Sequence, residues 1–129
     1  MLNVPQPRVI IIDDDVAVRN LISVLLVSCN CEVVGEAGTG TLGVELYKKQ
    51  HPDLVLLDVQ MPEMDGLQAL KKILKFNDAA MVVLLTGLDN TLIAENAHLS
   101  GAHGYIRKDL ELAELRDRIL EEVGKIKPH

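Results

Sequence analysis

The stretch Leu54-Val55-Leu56-Leu57-Asp58-Val59-Gln60-Met61-Pro62 decides the fold of this 129-residue chain. Its apolar part is short, aliphatic and without polar alternation, which indicates a strand buried on both faces, as in a parallel sheet. Turn-forming residues bound the strand, with Pro52-Asp53 before it and Pro62 after it. Asp58 is therefore predicted at the carboxyl end of the strand, the edge at which open α/β sheets bind ligands.

A second stretch has the same form, because Val9-Ile10-Ile11-Ile12 leads directly into Asp13-Asp14-Asp15. Asp58 considered alone is better explained as a turn or helix-capping aspartate. The repetition of the arrangement at Asp13 and Asp14 reverses that preference. It predicts that two buried strands bring carboxylates to the same edge of a sheet.

Strand and helix patterns alternate five times along the chain. Strands are predicted at 8–12, 31–34, 54–57, 81–85 and 104–106. Helical patterns follow them, beginning near residues 16, 41, 66, 91 and 110. Short links between alternating elements favour an α/β fold, in which helices cover both faces of a parallel sheet.

Local signals predict how the helices begin and which sides they bury. Asp15, Asp65 and Asp109 each precede a helical pattern and are predicted as N-caps. The spacing of apolar residues predicts one buried stripe on the first helix and another on the last. Their members are Val18, Leu21, Ile22 and Leu25 in the first helix, and Leu112, Leu115, Ile119 and Val123 in the last.

The composition excludes several classes of protein. A net charge of −6 and only three aromatic residues argue against binding nucleic acid, which needs a basic face or a stacking platform. No apolar run reaches membrane-spanning length and no signal pattern begins the chain, so a cytoplasmic location without membrane contact is expected. Cys29 and Cys31 have neither a cysteine partner nor metal-binding spacing, and we expect buried thiols in a reducing compartment.

Polar side chains follow four of the predicted strands. They are Asp13 and Asp14 after the first, Asp58 after the third, Thr86 after the fourth and Lys108 after the fifth. Carboxylates placed this close repel one another, whereas Mg²⁺ binds carboxylate, water and phosphate oxygens. A lysine and a hydroxyl suit the remaining phosphate oxygens, and a carboxylate can act as a nucleophile. The set predicts a site for Mg²⁺ and a phosphoryl group.

Four motifs, in this order, resemble those of the receiver domain of two-component response regulators of the chemotaxis-regulator type. They are Ile11-Ile12-Asp13-Asp14-Asp15, Leu56-Leu57-Asp58-Val59-Gln60-Met61-Pro62-Glu63-Met64-Asp65-Gly66, Leu84-Leu85-Thr86-Gly87 and Gly101-Ala102-His103-Gly104-Tyr105-Ile106-Arg107-Lys108. The resemblance implies one flavodoxin-like, doubly wound (βα)5 domain with strand order 2-1-3-4-5. It would span residues 1–129, with a core of about 8–123.

The resemblance also implies how phosphorylation occurs. Asp58 would accept a phosphoryl group from the phosphohistidine of a sensor histidine kinase or phosphotransfer protein. Asp14, Asp58 and the backbone carbonyl of Gln60 would ligate Mg²⁺, while Asp13 would hold a metal-bound water. The protein would catalyse only its own phosphorylation and dephosphorylation, and would otherwise not be an enzyme. Water would reach the phosphoryl group past the side chains of Gln60 and Leu88.

A switch and its partners follow from the same resemblance. Thr86 and Lys108 would bind phosphoryl oxygens, Gly87 would leave room for the group, and Tyr105 would turn inward as Thr86 moves. The signalling face would comprise the fourth helix, fifth strand and fifth helix, from about Thr91 to Glu122. It would bind an output domain, a target protein or, in the phosphorylated form, a second copy of the chain.

Three alternatives fit parts of the pattern. An aspartyl-nucleophile phosphohydrolase usually has an acidic residue two positions after the nucleophile, where this chain has Gln60. A pseudo-receiver that serves only as a binding module usually lacks the nucleophile or the acidic pair, and this chain has both. A flavin-binding relative would need a phosphate-binding loop after the first strand, where the acidic triplet stands.

Overall fold

Five strands form one parallel sheet in the computed structural model, which describes residues 6–87, 92 and 96–126. The strands are β1 (Arg8–Ile12), β2 (Glu32–Ala37), β3 (Leu54–Asp58), β4 (Val82–Thr86) and β5 (Gly104–Arg107). Their order is β2-β1-β3-β4-β5, and each neighbouring pair is parallel. The predicted fold class and strand order are confirmed.

Four α-helices connect and cover the strands in the described part of the chain. They are α1 (Val16–Ser28), α2 (Gly40–Gln50), α3 (Gly66–Phe76) and α4 (Leu112–Val123). Of the helix predicted at 91–99, positions 91 and 93–95 lie outside the described residues. A short 3-10 helix spans Ala97–Ser100 and ends at Gly101, whose φ of 96° suits a residue without a Cβ atom. Among the described residues, no helix has the length and hydrophobicity needed to span a membrane.

The core has two layers, one on each face of the sheet. Ile10 and Ile12 of β1 pack in the cluster that includes residues of α2 and α3, whereas Val9 and Ile11 pack in the cluster that includes residues of α1 and α4. All four side chains are fully buried. This explains why β1, β3 and β4 lack polar alternation, and it leaves the ends of these strands as the places where polar side chains can meet.

Two of the three predicted helix caps are confirmed. Asp15 Oδ1 accepts hydrogen bonds from the backbone N–H groups of Ala17 and Val18, and Asp65 forms a capping box with Gln68.

The prediction for Asp109 was wrong. The residue before α4 is Glu111, whose side chain makes no capping bond. Asp109 instead accepts two hydrogen bonds from the Arg107 guanidinium, at 3.0 and 2.8 Å. The helix begins at Leu112 and not near residue 110 as predicted, so Asp109 does not occupy the N-cap position.

The predicted buried stripes were partly wrong. Leu21 is 42% exposed and Leu112 is 57% exposed, so neither belongs to the core. Apolar residues occur on nearly every side of α1, and their spacing therefore could not show which side faces the sheet. In α4 the third buried position is occupied by Glu122, whose carboxylate lies within 3.3 Å of Arg118 and 3.2 Å of Lys125.

Cys29 and Cys31 are both buried and form no disulfide, as predicted. Burial raises the pKa of Cys31 to about 11, and the neighbouring Cys29 adds to the shift. A thiol with so high a pKa remains protonated and is a poor nucleophile at neutral pH. We therefore assign these residues to packing.

Candidate functional site

The sheet brings the predicted site residues to one edge. Asp58 is the last residue of β3 and Thr86 the last of β4, while Asp13 and Lys108 directly follow β1 and β5. The register places Ile12 opposite Leu57, so that Asp13 emerges beside Asp58. The site is thus assembled from the carboxyl ends of four parallel strands.

Three carboxylates form a cluster that could hold a metal ion. Oxygen atoms of Asp13, Asp14 and Asp58 all lie within 4.8 Å of one another. Asp13 and Asp58 are buried, whereas Asp14 is exposed. Two oxygens bound to one Mg²⁺ at about 2.1 Å are at most about 4.2 Å apart, so small side-chain rotations would suffice. The donor set therefore fits a hard divalent cation.

Lys108 supplies the positive charge of the pocket. Its Nζ donates hydrogen bonds to Asp58 Oδ1 at 3.1 Å and to Asp13 Oδ2 at 3.2 Å. Its backbone N–H donates to the carbonyl oxygen of Thr86 at 2.8 Å, which fixes the end of β5 against β4. The ammonium offsets part of the negative charge and orients the Asp58 carboxylate.

Burial raises the pKa of Asp58 to about 7, and the charge of Asp13 adds to this increase. Lys108 acts in the opposite direction, while the neighbouring Asp14 carboxyl raises the pKa further. Burial lowers the pKa of Lys108 itself, but attraction to Asp58 and Asp13 outweighs burial and leaves the value above normal. One ammonium therefore does not balance the carboxylates, and a bound cation would lower the pKa of Asp58.

Two buried oxygens at this edge lack hydrogen-bond partners among the described residues. They are Asp58 Oδ2 and Thr86 Oγ1, which belong to the last residues of adjacent strands. Buried polar atoms are nearly always paired in folded proteins. Two unpaired oxygens beside an acidic cluster indicate that the site binds a ligand.

The loop after Asp58 is held close to the strand end. The backbone N–H of Gln60 donates to Asp58 Oδ1 at 3.3 Å, and that of Gly66 donates to the Val59 carbonyl at 2.8 Å. A Cβ atom on Gly66 would lie 2.2 Å from the Asp58 carbonyl oxygen, so only glycine allows α3 to begin here. Gln60 is exposed on this loop beside the pocket, whereas Leu88 lies outside the described residues.

Arg19 supports the site and was not predicted. Its Nη1 donates to the backbone carbonyl of Asp13 at 2.6 Å, and its Nε lies 3.3 Å from Glu36 Oε1. A signal was available, because Arg19 lies one helical turn after Asp15 and three residues before Ile22, on the side of α1 that faces the sheet. An arginine in that position needs polar partners.

Tyr105, the predicted switch residue, lies on β5 opposite Leu84, and its side chain is 36% exposed. Its backbone carbonyl accepts a hydrogen bond of 2.6 Å from Arg118 Nη2. Arg118 also pairs with the buried carboxylate of Glu122. These contacts connect the strand that precedes Lys108 to α4.

Comparison with known proteins identifies the family. Residues 9–120 match the family model described as the response regulator receiver domain. The chain belongs to the response regulator receiver domain family. Its acidic pocket of Asp13, Asp14 and Asp58 is typical of the phosphorylation site of receiver domains. The family acts in two-component signalling and is not a family of conventional enzymes.

Related sequences and structures cover almost the whole receiver domain. The chemotaxis protein CheY of Bacillus subtilis is 37% identical over 118 residues, covering 92% of this chain and 95% of the relative. CheY of Treponema pallidum is 40% identical over 121 residues, covering 92% and 81%. The receiver domain of AraT from Geobacillus stearothermophilus superposes with a TM-score of 0.83 at 28% identity, covering 94% and 95%.

The structure of a further relative was solved as a complex with another protein. CheY of Borrelia burgdorferi, in a structure described as a CheX-CheY-BeF3-Mg complex, superposes with a TM-score of 0.82 at 28% identity. The match covers 92% of this receiver domain and 89% of that chain. The predicted fold and the predicted family are therefore both confirmed.

Proposed function

We propose that this receiver domain accepts a phosphoryl group on Asp58 in a Mg²⁺-dependent reaction. The donor would be the phosphohistidine of a sensor histidine kinase or phosphotransfer protein. The observation that carries the proposal is the unpaired, buried Asp58 Oδ2 inside an acidic cluster that also contains Lys108. A buried carboxylate whose pKa is raised by burial and by a neighbouring charge is typical of functional sites, which supports the proposal.

The two oxygens of Asp58 have different surroundings, which assigns them different roles. Oδ1 accepts hydrogen bonds from Lys108 Nζ and from the Gln60 N–H group. Oδ2 has no such partner in the described residues and is the proposed nucleophile. The bond from Oδ2 to phosphorus would form as the nitrogen–phosphorus bond of the donor breaks, and the electron pair of that bond would stay on the imidazole.

We propose that Asp14, Asp58 and the Gln60 backbone carbonyl hold the Mg²⁺ ion, with Asp13 acting through a bound water. When bound, the ion would neutralise negative charge on the phosphoryl oxygens and on the carboxylates. The cluster geometry supports this assignment, as does the relative from Borrelia burgdorferi whose structure is described with BeF3 and Mg. Lys108 would pair with a second phosphoryl oxygen.

Thr86 is the proposed sensor of phosphorylation. A phosphoryl group adds about −1.5 to −2 charges near pH 7, and the unpaired Thr86 Oγ1 can donate to one of its oxygens. The resulting shift would reach Tyr105 and α4, where Arg118 holds the Tyr105 carbonyl. The proposed signalling face is the region from 91 to 122, of which 91 and 93–95 lie outside the described residues.

The proposed partners at this face are an output domain or a target protein, with a phosphorylation-dependent homodimer as the other arrangement. CheX in the Borrelia burgdorferi complex illustrates a separate protein bound to a relative. We also propose that residues 1–129 form one domain with a core of about 8–123, and that the protein works in the cytoplasm. It would catalyse only its own phosphorylation and dephosphorylation.

Intact-mass spectrometry tests the phosphorylation site. Acetyl phosphate with Mg²⁺ should add one phosphoryl group to the wild-type protein and none to Asp58→Asn. Asp15→Asn is the matched control, because Asp15 caps α1 beside the pocket. Equal labelling of wild type and Asp58→Asn would refute Asp58 as the acceptor.

Hydrogen exchange with and without beryllofluoride and Mg²⁺ tests the face. We expect changed protection in β5 and α4, and no change in Asp58→Asn. Changes confined to α2 and α3 would refute this choice of signalling face.

A further inference from the structure

Positive charge is concentrated on α2 and α3, although the whole chain has a net charge of −6. Five of the eight lysines lie on these two helices: Lys48, Lys49, Lys71, Lys72 and Lys75. Glu45 is the single acidic residue within the two helices, so the pair has a local net charge of +4. A local excess of one sign attracts partners of the opposite sign.

A groove of about 360 Å³ lies between these helices. Its lining combines three cationic and three apolar side chains: Lys48, Lys72, Lys75, Val44, Met64 and Phe76. Glu45 also lines the groove and lies 3.9 Å from Lys48. Within the described part of the chain, Lys72 and Lys75 form no ion pair, so both ammonium groups are available to a partner.

Phe76 is held in place although its side chain is 46% exposed. Its ring lies 6.1 Å from the Tyr47 ring in an edge-to-face arrangement and 5.9 Å from the His51 ring. The Lys48 ammonium lies 5.7 Å from the Phe76 ring centre, and Tyr47 is anchored by a hydrogen bond from Asn77. An exposed ring that is already fixed loses little conformational entropy when a partner packs against it.

We propose that the groove between α2 and α3 binds an acidic peptide segment of a partner protein. An apolar side chain of the segment packs against Phe76 and Met64, and its carboxylates pair with Lys72 and Lys75. The residues that line the groove lie between positions 41 and 76, outside the proposed signalling face at 91–122, so the two surfaces share no residue. The binding does not require phosphorylation of Asp58.

The chemistry of the groove favours a peptide over a nucleic acid. Glu45 lines the groove. Because α2 and α3 carry a positive charge, the remainder of the chain has a larger negative charge than the −6 of the whole chain. A long polyanion would therefore be repelled by the surface beyond the lysines. A short segment with alternating acidic and apolar side chains satisfies the lysines and the apolar lining together. Its carboxylates would raise the association rate constant, and its apolar side chain would slow dissociation.

Fluorescence anisotropy with the labelled peptide Asp-Glu-Leu-Asp-Glu-Leu-Asp tests the proposal. We expect saturable binding that weakens about two- to fivefold in Lys72→Gln or Lys75→Gln, and at least about tenfold in the double charge reversal Lys72→Glu/Lys75→Glu. Lys71→Gln and Lys49→Gln are matched controls, because these lysines lie on the same helices but do not line the groove. All four lysines are exposed, so the variants should fold.

Two control probes separate the sources of affinity. Replacing the leucines of the peptide by serine should weaken binding, and replacing its acids by their amides should abolish it. Equal binding to wild type and Lys72→Glu/Lys75→Glu would overturn the proposal. Tighter, lysine-dependent binding of a single-stranded oligonucleotide of equal charge would also overturn it and would assign the groove to nucleic acid.

Discussion

Lys108 and Asp58, which are 50 positions apart in the sequence, are joined by a hydrogen bond of 3.1 Å between Nζ and Oδ1. The same ammonium reaches Asp13 Oδ2 at 3.2 Å, so one cation serves two buried carboxylates. This sharing leaves the pocket with excess negative charge. Together with burial, this excess of negative charge raises the pKa of Asp58, so the stability of the protein should depend on pH.

The metal-free protein should lose stability as the pH rises. The folded-state pKa of Asp58, about 7, lies above the ordinary value of 3.8, so the folded state binds the additional proton. The contribution of Asp58 is therefore complete below pH 3.8 and is lost as the pH rises through 7. Asp58→Asn removes this titration and should be more stable than wild type at pH 8 by roughly 2–4 kcal/mol at most.

Urea unfolding in EDTA at pH 5 and pH 8 measures this difference. The gap in unfolding free energy between Asp58→Asn and wild type should be larger at pH 8. Asp78→Asn is the control, because Asp78 is an exposed turn residue. A gap that is constant with pH would show that Asp58 has an ordinary pKa.

Magnesium affinity should distinguish the neighbouring aspartates. Asp14→Asn removes a charged ligand and should weaken Mg²⁺ binding by about tenfold or more, which corresponds to about 1.4 kcal/mol. Asp15→Asn should bind Mg²⁺ like wild type, because its side chain caps α1 and asparagine is also a good cap. Isothermal titration calorimetry measures both variants. The reverse order of affinities would mean that the register of the acidic triplet is wrong.

Arg19 should affect the metal site through the backbone of Asp13. Arg19→Met removes the 2.6 Å hydrogen bond to the Asp13 carbonyl, and we expect a loss of about 1–2 kcal/mol in unfolding free energy. Magnesium affinity should also fall several-fold. Arg8→Met is the matched control: Arg8 holds the carbonyls of Gln50 and His51 at the opposite end of β1. It should lose comparable stability but keep its Mg²⁺ affinity, and equal affinity in all three proteins would leave Arg19 a purely structural role.

Leu88 should slow the loss of the phosphoryl group. The family resemblance implies that Leu88 lies beside the path of the attacking water, and its side chain has neither a donor nor an acceptor with which to orient that water. Leu88→Glu should speed hydrolysis by roughly several-fold to tenfold, the latter corresponding to about 1.4 kcal/mol. The decay of phosphorylated protein in excess Mg²⁺, after removal of the donor, is the measurement. Leu99→Glu, at an 86% exposed position, is the control, and an unchanged decay in Leu88→Glu would refute the role of Leu88.

The positions of Asp13, Asp58 and Thr86 could be predicted because buried parallel strands have a simple pattern, whereas Lys108 follows the edge strand β5 and its role came from the family resemblance. A strand covered on both faces must be apolar throughout, so its first polar residue marks the sheet edge. Parallel register then brings such residues together, as Ile12 opposite Leu57 brings Asp13 beside Asp58. The strand order itself came from the family resemblance, since spacing alone does not determine which strands are neighbours.

Other features could not be predicted because they depend on where a helix begins and on how it packs against the sheet. Asp109 was predicted as an N-cap because the last helix was expected to begin near residue 110, whereas α4 begins at Leu112 and Asp109 pairs with Arg107. Leu21 was assigned to the core because α1 is apolar on nearly every side, so that periodicity carried little information. The place of Arg19 between Asp15 and Ile22 was a signal that it needs a polar partner, but the identity of that partner, the Asp13 carbonyl, depends on how α1 lies against the sheet.

The tight approach of Gly66 to Asp58 has a consequence for the genetics of this protein. Any side chain at position 66 would have its Cβ atom 2.2 Å from the Asp58 carbonyl oxygen, so the start of α3 would have to move away from the strand. A selection for lost signalling would therefore recover missense alleles at codon 66 in which every acidic codon is intact. Intragenic suppressors of such alleles would fall in the codons of the 59–65 loop. A changed conformation of this loop would let the start of α3 shift while the Asp58 carboxylate keeps its position.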